Sequence, residues 1–252
     1  MLLSDSAMLR RRGLSALRGN WQTALVITFF AGILGTIQSV IRINVGIPDN
    51  VYWMDSSMWD SMYRHASPYM LPVGLLALLQ VFVSPSLSAG LNNYYITLVR
   101  GGETSFSMLF SRLHVFLKAF ALYILIGIRI FLWTLLLIVP GIIAAYRYAM
   151  APFLFAEDPE IGILEAIERS KKLMDGNKSR LFMLQLSFLG WNLLAAIAAG
   201  FLNNIIPLVG IVAGLFASLA VTVYLNASVT AFYVELTAGS NPANDRIDGS
   251  VV

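Results

Sequence analysis

Between Arg180 and Glu235 the chain runs for 54 residues without an Asp, Glu, Lys or Arg. A water-soluble fold has no use for such a run, because some face of every element has to meet solvent. Two membrane helices of about 20 residues each fit inside it, and they are drawn as Leu181 to Asn203 and Leu208 to Val234.

The rest of the chain repeats the pattern. Hydrophobic residues make up 58% and charged residues 12%, about half the charge of ordinary soluble domains. Four more apolar runs follow the same rule, Trp21 to Ile41, Met70 to Val99, Ala119 to Val139 and Gly141 to Ala156. The expectation is an all-α, polytopic membrane protein with six transmembrane helices. The fourth run is short, and its 16 residues cover about 24 Å against a hydrocarbon core of about 30 Å. Trp21 to Ile41 exceeds the core of a signal peptide and reads as a retained span.

Basic residues set the orientation. Segments 1–20, 100–118, 157–180 and the tail beyond Leu236 hold 4, 3, 5 and 1 Lys or Arg, against only Arg42 and Arg64 on the opposite side. Both termini are therefore expected in the cytoplasm of a bacterial cell. The reading is one integral-membrane domain over 1–238 and a flexible cytoplasmic tail over 239–252. The net charge of +3 is topology rather than a nucleic-acid footprint. The absence of cysteine removes disulfides and thiol chemistry.

Each pair of spans follows a basic, partly amphipathic segment: Asp5 to Asn20, Ser105 to Lys118 and Pro159 to Lys178. A unit of one interfacial helix plus a helical hairpin, three times over, is one reading, and ordinary positive-inside loops are the other. The best local echo sets Leu17-Arg18-Gly19-Asn20 against Leu173-Met174-Asp175-Gly176-Asn177. In the third segment Asp158 is an N-cap candidate, Pro159 suits the first turn and Gly176 suits the C-terminal left-handed position. Glu165 with Arg169 and Glu168 with Lys172 are spaced for i,i+4 pairs. Ile163, Leu164, Ile167 and Met174 supply an apolar face.

Pro140-Gly141 is expected to end the third span, either as an outer turn or as a kink in a broken helix. Pro85, among Ser84, Ser86 and Ser88, is a second hinge whose serines are placed to satisfy freed carbonyls. Gly210, Gly214 and Ser218 form a small-xxx-small ladder, as do Ala195 with Ala199 and Ala196 with Gly200. These join helices within the bundle or between copies in a homo-oligomer.

Arg129 is the sharpest lead for chemistry. Placed near the middle of a span, an arginine costs at least about 2.5 to 3.5 kcal/mol, and no acid falls inside any span to neutralise it. Its expected partners are carbonyls, Gln80, Gln185, Asn192 and Asn226, or a bound anion such as a lipid phosphate. Arg147, nearer the outer turn, reaches headgroups more easily. In the outer loop Met54, Met58 and Met62 lie at helical spacing near His65. Cu(I) would suit such thioethers, but Tyr52, Trp53, Trp59 and Tyr63 make an interfacial helix the stronger reading. No nucleophile elbow, His-Glu-x-x-His or P-loop is present, so neither catalytic residues nor a metal or cofactor site is assigned.

Several stretches then read together: Val139-Pro140-Gly141-Ile142-Ile143, Tyr146-Arg147-Tyr148-Ala149-Met150-Ala151-Pro152, Glu165-Ala166-Ile167, Ser170 to Asn177, and Leu186-Ser187-Phe188-Leu189-Gly190-Trp191. In order and spacing they resemble an uncharacterised bacterial integral-membrane family, domain of unknown function 975. Leu17-Arg18-Gly19-Asn20-Trp21 and Ala231-Phe232-Tyr233 extend the likeness over nearly the whole chain. A looser likeness links the Pro-Gly turn and the helix after it to the membrane domain of some glycerophosphodiester phosphodiesterases, whose catalytic partner is absent here. The resemblance implies six spans in a bacterial cytoplasmic membrane and no established activity.

The expected function is non-enzymatic: binding or moving a small amphiphile or anion, or scaffolding an envelope complex with a partner membrane protein. The alternative is an intramembrane enzyme acting on lipid or peptide, which would need converging titratable groups.

Overall fold

The structure, a computed structural model, describes residues 2–40 and 56–239, with side chains placed for 5–34, 74–75 and 78–239. Nine α-helices lie among them: α1 Leu2–Leu17, α2 Trp21–Val40, α3 Ser56–Val99, α4 Phe116–Leu136, α5 Ile138–Tyr148, α6 Ala151–Glu157, α7 Ile163–Leu173, α8 Lys178–Ile205 and α9 Pro207–Gly239. Two short 3₁₀ helices, Phe106–Phe110 and Leu113–Val115, lead into α4. No strand occurs among the described residues.

Among the described residues four stretches are long and apolar enough to cross a membrane, Phe106–Leu136, Ile138–Glu157, Lys178–Ile205 and Pro207–Gly239, and Trp21–Leu34 is a shorter apolar helix. Their outward faces are bare. Leu135, Leu136, Ile138 and Leu208 are each 72% exposed, which only a hydrocarbon solvent tolerates over so many side chains. The fold is therefore an all-α membrane protein.

Where lipid replaces water, helices gain little from hiding apolar surface and must adhere through close packing. The closely packed parts form two clusters. One gathers Leu9, Phe155, Ile167, Phe188, Phe232 and Tyr233 around α6, α7 and the C-terminal part of α9. The other gathers Leu17, Ile27, Leu87, Tyr95, Leu98 and Val223 between α2, α3 and α9. The approach of α1 to α9 is close enough that a Cβ on Gly13 would come within 2.8 Å of the Ser228 backbone nitrogen.

Two turn motifs recur. Gly19 and Gly176 both take positive φ, 84° and 71°, and each is followed by an asparagine, Asn20 or Asn177, whose carbonyl accepts from Ala24 or Leu181 in the next helix. The hairpin tips also match. Leu137 and Ile206 are the lone extended residues between α4 and α5 and between α8 and α9. In each case the glycine four residues on, Gly141 or Gly210, donates to that residue's carbonyl. A Cβ on either glycine would strike the residue seven back, Thr134 or Asn203. Each of these turns occurs twice among the described residues, whereas the unit read from sequence is threefold.

Several boundaries differ from the sequence reading. The turn expected at Pro140-Gly141 falls at Leu137, and Pro140 sits in the first turn of α5, where its missing N–H leaves no bond unmade. The fourth run is two helices, because the chain breaks at Ala149-Met150. There Ser170 of α7 donates to the Arg147 carbonyl and accepts from the Met150 N–H. Asp158 does not cap α7. It ends α6 and accepts from the Glu160 N–H, while Gly162 precedes α7.

On α7 the pair Glu165–Arg169 forms at 2.7 Å, but Glu168 takes Lys171 rather than Lys172. Ile167 and Met174 are buried whereas Leu164 is 60% exposed. The α3 helix runs unbroken through Pro85. Ser86 bonds the Val83 carbonyl and Ser88 pairs with Tyr123, so neither serves the Val81 carbonyl that Pro85 frees. Met54 and the tail over 240–252 lie outside the described residues. Met58, Met62 and His65 lie on the α3 backbone, outside the placed side chains.

Candidate ligand-binding site

The α9 helix carries a small or polar residue at every fourth position: Gly210, Gly214, Ser218, Thr222, Asn226 and Thr230. With 3.6 residues per turn, each step of four advances about 40° around the axis, so the stripe winds round the helix. Its upper part meets α8, where a Cβ on Gly214 would lie 3.0 Å from the Ala199 Cβ. This is the internal packing that the ladders allowed. Four residues further on, the stripe has turned toward α2 and α3.

There it borders a half-open cavity of about 740 Å³ between α2, α3 and α9. Ser218, Thr222 and Asn226 face Thr28 of α2 and Ser84 and Ser88 of α3. The remaining wall is apolar, from Phe29, Ile33, Leu91, Leu215 and Phe216 among others. The volume is in the range of small-molecule sites.

The polar atoms are mostly committed as donors. Ser218 donates to the Leu215 carbonyl and Thr222 to the Ser218 carbonyl, at 2.9 and 2.8 Å. Their oxygen lone pairs remain available to accept. Thr28 and the buried Tyr95 share one hydrogen bond of 2.7 Å, with Asn226 close to the same hydroxyl. Among the described residues no charged side chain lines the cavity. The wall suits an apolar chain bearing a hydroxyl or amide better than an anion.

Of the five residues proposed from sequence as ligand-binding, Asn226 alone is among those lining this cavity, beside Ser84, Ser88 and Ser218, which the sequence offered for hinge and packing roles. Arg129 of α4 lies 5.9 Å from the centre of the Tyr148 ring. Gln185 accepts from the Tyr146 hydroxyl at 2.8 Å, and Asn192 bonds its own helix at Phe188. Arg147 lies in the last turn of α5, where its carbonyl accepts from Ser170. Gly141 packs on Thr134 within the hairpin and Pro85 is buried in α3. The five proposed ligand residues do not converge on one site. The stripe was legible only in part, because reading Gly210, Gly214 and Ser218 as packing stopped before the polar residues that continue it.

A second polar region lies at the opposite end of α9. Arg180 donates to Asp5 and, at 2.5 Å, to Glu235, which also pairs with Arg12 at 3.3 Å. Glu157 accepts from Arg100 at 2.7 Å and from the Tyr233 hydroxyl at 2.5 Å. Arg112 closes the end of α6 by donating to the Ala156 carbonyl at 2.7 Å. Every acid here has a partner that explains it as structure. On α7, the Lys171 ammonium holds Glu168 below the usual glutamate range, with a smaller contribution from the Arg129 charge.

The family model for "Protein of unknown function (DUF975)" matches residues 1–146 and again 134–240. The chain belongs to this family. Two overlapping matches along one DUF975 chain accord with the recurring turns at Gly19 and Gly176 and at Leu137 and Ile206. No curated protein and no solved structure matches the chain. The family has no assigned activity, so function has to be argued from the cavity.

Proposed function

We propose that this membrane protein binds a neutral amphiphile, an apolar chain carrying a hydroxyl or amide, in the cavity between α2, α3 and α9. The supporting observation is the cavity wall: apolar side chains surround acceptor oxygens of Ser218 and Thr222 and the Thr28 and Asn226 side chains, with no charge among the described residues. The half-open side lets a chain enter sideways from the bilayer, so the ligand need not pass through water. Binding is the first step of moving such a molecule. Binding alone accounts for the wall.

Gly32 lines the cavity, and a Cβ there would meet nothing within 4 Å, so a side chain at that position fills ligand space. Gly32→Phe should lower the amphiphile that co-purifies with the protein at least about tenfold, a loss of about 1.4 kcal/mol in binding. Gly127→Phe, at an equally open position on α4 away from the cavity, should leave it unchanged. Mass spectrometry of the purified protein reads both. Equal ligand in the two variants, or none in the parent, would overturn the proposal.

A further inference from the structure

The α4–α5 hairpin is apolar enough to cross a membrane, but its contacts hold it too low to do so. Arg180, Glu235, Glu157 and Arg100 mark the cytoplasmic foot of α8, α9, α6 and α3. Gln185 is five residues above Arg180, about 8 Å along α8. Tyr146 bonds Gln185 and packs edge-on against Phe182. From Tyr146 to the turn at Leu137 is nine residues, about 14 Å if α5 stands upright. Through this contact the turn lies about 20 Å above the foot, short of a hydrocarbon core of about 30 Å; one straight helix from Glu157 would reach about 30 Å, but the chain breaks at Ala149-Met150 between α5 and α6. The α8–α9 turn at Ile206, 26 residues above Arg180, reaches about 39 Å.

The path of α4 gives the same answer independently. Tyr123 pairs with Ser88, which stands 11 residues, about 16 Å, above the end of α3 at Val99. Six residues later Arg129 is within electrostatic range of Glu168. Glu168 and Lys171 form an exposed ion pair whose place is water or headgroups, not hydrocarbon. Arg129 also stacks 5.9 Å from the centre of the Tyr148 ring, two residues below Tyr146 on α5, so at Arg129 α4 lies level with the foot of α5 and takes an oblique course.

The tips share one pattern of backbone bonding and differ in their side chains. Asn203 and Asn204 stand beside the α8–α9 turn, whereas the other tip is the exposed apolar run Leu135-Leu136-Leu137-Ile138-Val139. Only Leu137 is non-helical there. Its N–H bonds Trp133 and its carbonyl accepts from Gly141, while Pro140 carries no N–H to leave unpaired. A turn surrounded by hydrocarbon needs that economy of free backbone groups. At the base of the hairpin Arg129 and Arg147 are partly buried and form no salt bridge among the described residues.

We propose that the α4–α5 hairpin is re-entrant: an apolar wedge seated in the cytoplasmic leaflet, turning round at Leu137 inside the bilayer and held at its base by Arg129 and Arg147 on phospholipid phosphates. Guanidinium forks suit phosphate oxygens. The wedge adds volume to one leaflet only, which is the geometry of a protein that bends membrane or settles where it is bent.

The absence of cysteine makes the test direct. Leu137→Cys and Asn204→Cys are placed singly in the full chain, in oriented vesicles of phosphatidylethanolamine and phosphatidylglycerol, and exposed to a membrane-impermeant maleimide from either side. Asn204→Cys should react from the outer side only. Leu137→Cys should react from neither side yet label fully once solubilised in detergent, and a nitroxide there should relax faster with oxygen than with a nickel chelate. Labelling of Leu137→Cys from either side overturns the wedge, and Ile138→Cys repeats the measurement if the first variant fails to fold. For the anchor, Arg129→Ala with Arg147→Ala should change the nitroxide depth and lower co-purifying phospholipid, and the paired Lys substitutions should restore both. Unchanged depth and phospholipid in the alanine pair overturn the arginine contact.

Discussion

Arg180 donates from Nη2 to the Glu235 carboxylate at 2.5 Å, joining the two residues that bracket the 54-residue run without charge. The run leaves the membrane surface along α8, turns at Ile206 and returns along α9 to close on itself. Asp5 of α1 shares the same guanidinium, so the pair also pins the first helix to the last hairpin. Side-chain exposures of 22%, 19% and 26% for Arg180, Asp5 and Glu235 place the triad between a surface pair and a buried one.

Removing the cation should therefore be costly. Arg180→Leu leaves two carboxylates facing each other and should destabilise the protein by about 3 kcal/mol, the low end for breaking a buried pair. Glu235→Gln keeps a hydrogen-bond acceptor and should cost only about 1 kcal/mol. Thermal unfolding in detergent measures both. Equal effects would mean that the charge is irrelevant to the contact.

Ser170 bridges the break between α5 and α6 from inside the core, accepting from Met150 and donating to Arg147. Ser170→Ala strands a buried N–H and a carbonyl and should cost about 1 to 3 kcal/mol. Hydrogen exchange at the Met150 amide should quicken before that of the α8 amides. A uniform quickening across the chain would show that the bridge has no local role.

Glycine substitutions separate close approach from open surface. A Cβ on Gly90 would lie 2.1 Å from the Leu109 carbonyl oxygen, which belongs to the backbone and has nowhere to go. Gly90→Ala should destabilise by about 1 to 3 kcal/mol as an overpacked contact. Gly127→Ala, with open space around it in mid-helix, should instead stabilise by about 0.5 to 1 kcal/mol. The sign of the difference in melting temperature decides the point.

The sequence carried the architecture because the bilayer imposes it: a charge-free run of 54 residues has few places to go. It also carried the positive-φ Gly176, since left-handed turns favour that residue, whereas Gly19 entered only through its echo of that turn. What it did not carry were choices that depend on the third dimension. Asp158 has the chemistry of a helix cap, but the chain turned through Glu160 before starting α7. Lys171 and Lys172 both lie within reach of Glu168 in sequence, and packing selected the first. The polar wall was hidden because its residues belong to three helices, and an i,i+4 stripe on α9 shows its meaning only when the turn of the helix carries it away from α8. Arg129 was read as mid-bilayer from its distance along a span. Its neighbours Tyr148 and Glu168 come from other elements, which no position along a span could have named.

That neighbourhood has its own titration. Lys171 first, and then Arg129, hold the Glu168 carboxyl below the ordinary glutamate range, so the carboxylate form is favoured in the folded state. The contribution is present above the unfolded glutamate value and is lost as pH falls through the lower folded value. Carbon-13 NMR of the Glu168 carboxyl should show the depressed midpoint in the parent protein. Lys171→Met should raise it most, and Arg129→Met should raise it by less. If Arg129→Met leaves the midpoint where it was, the guanidinium is not near α7, and the oblique course of α4 fails with it.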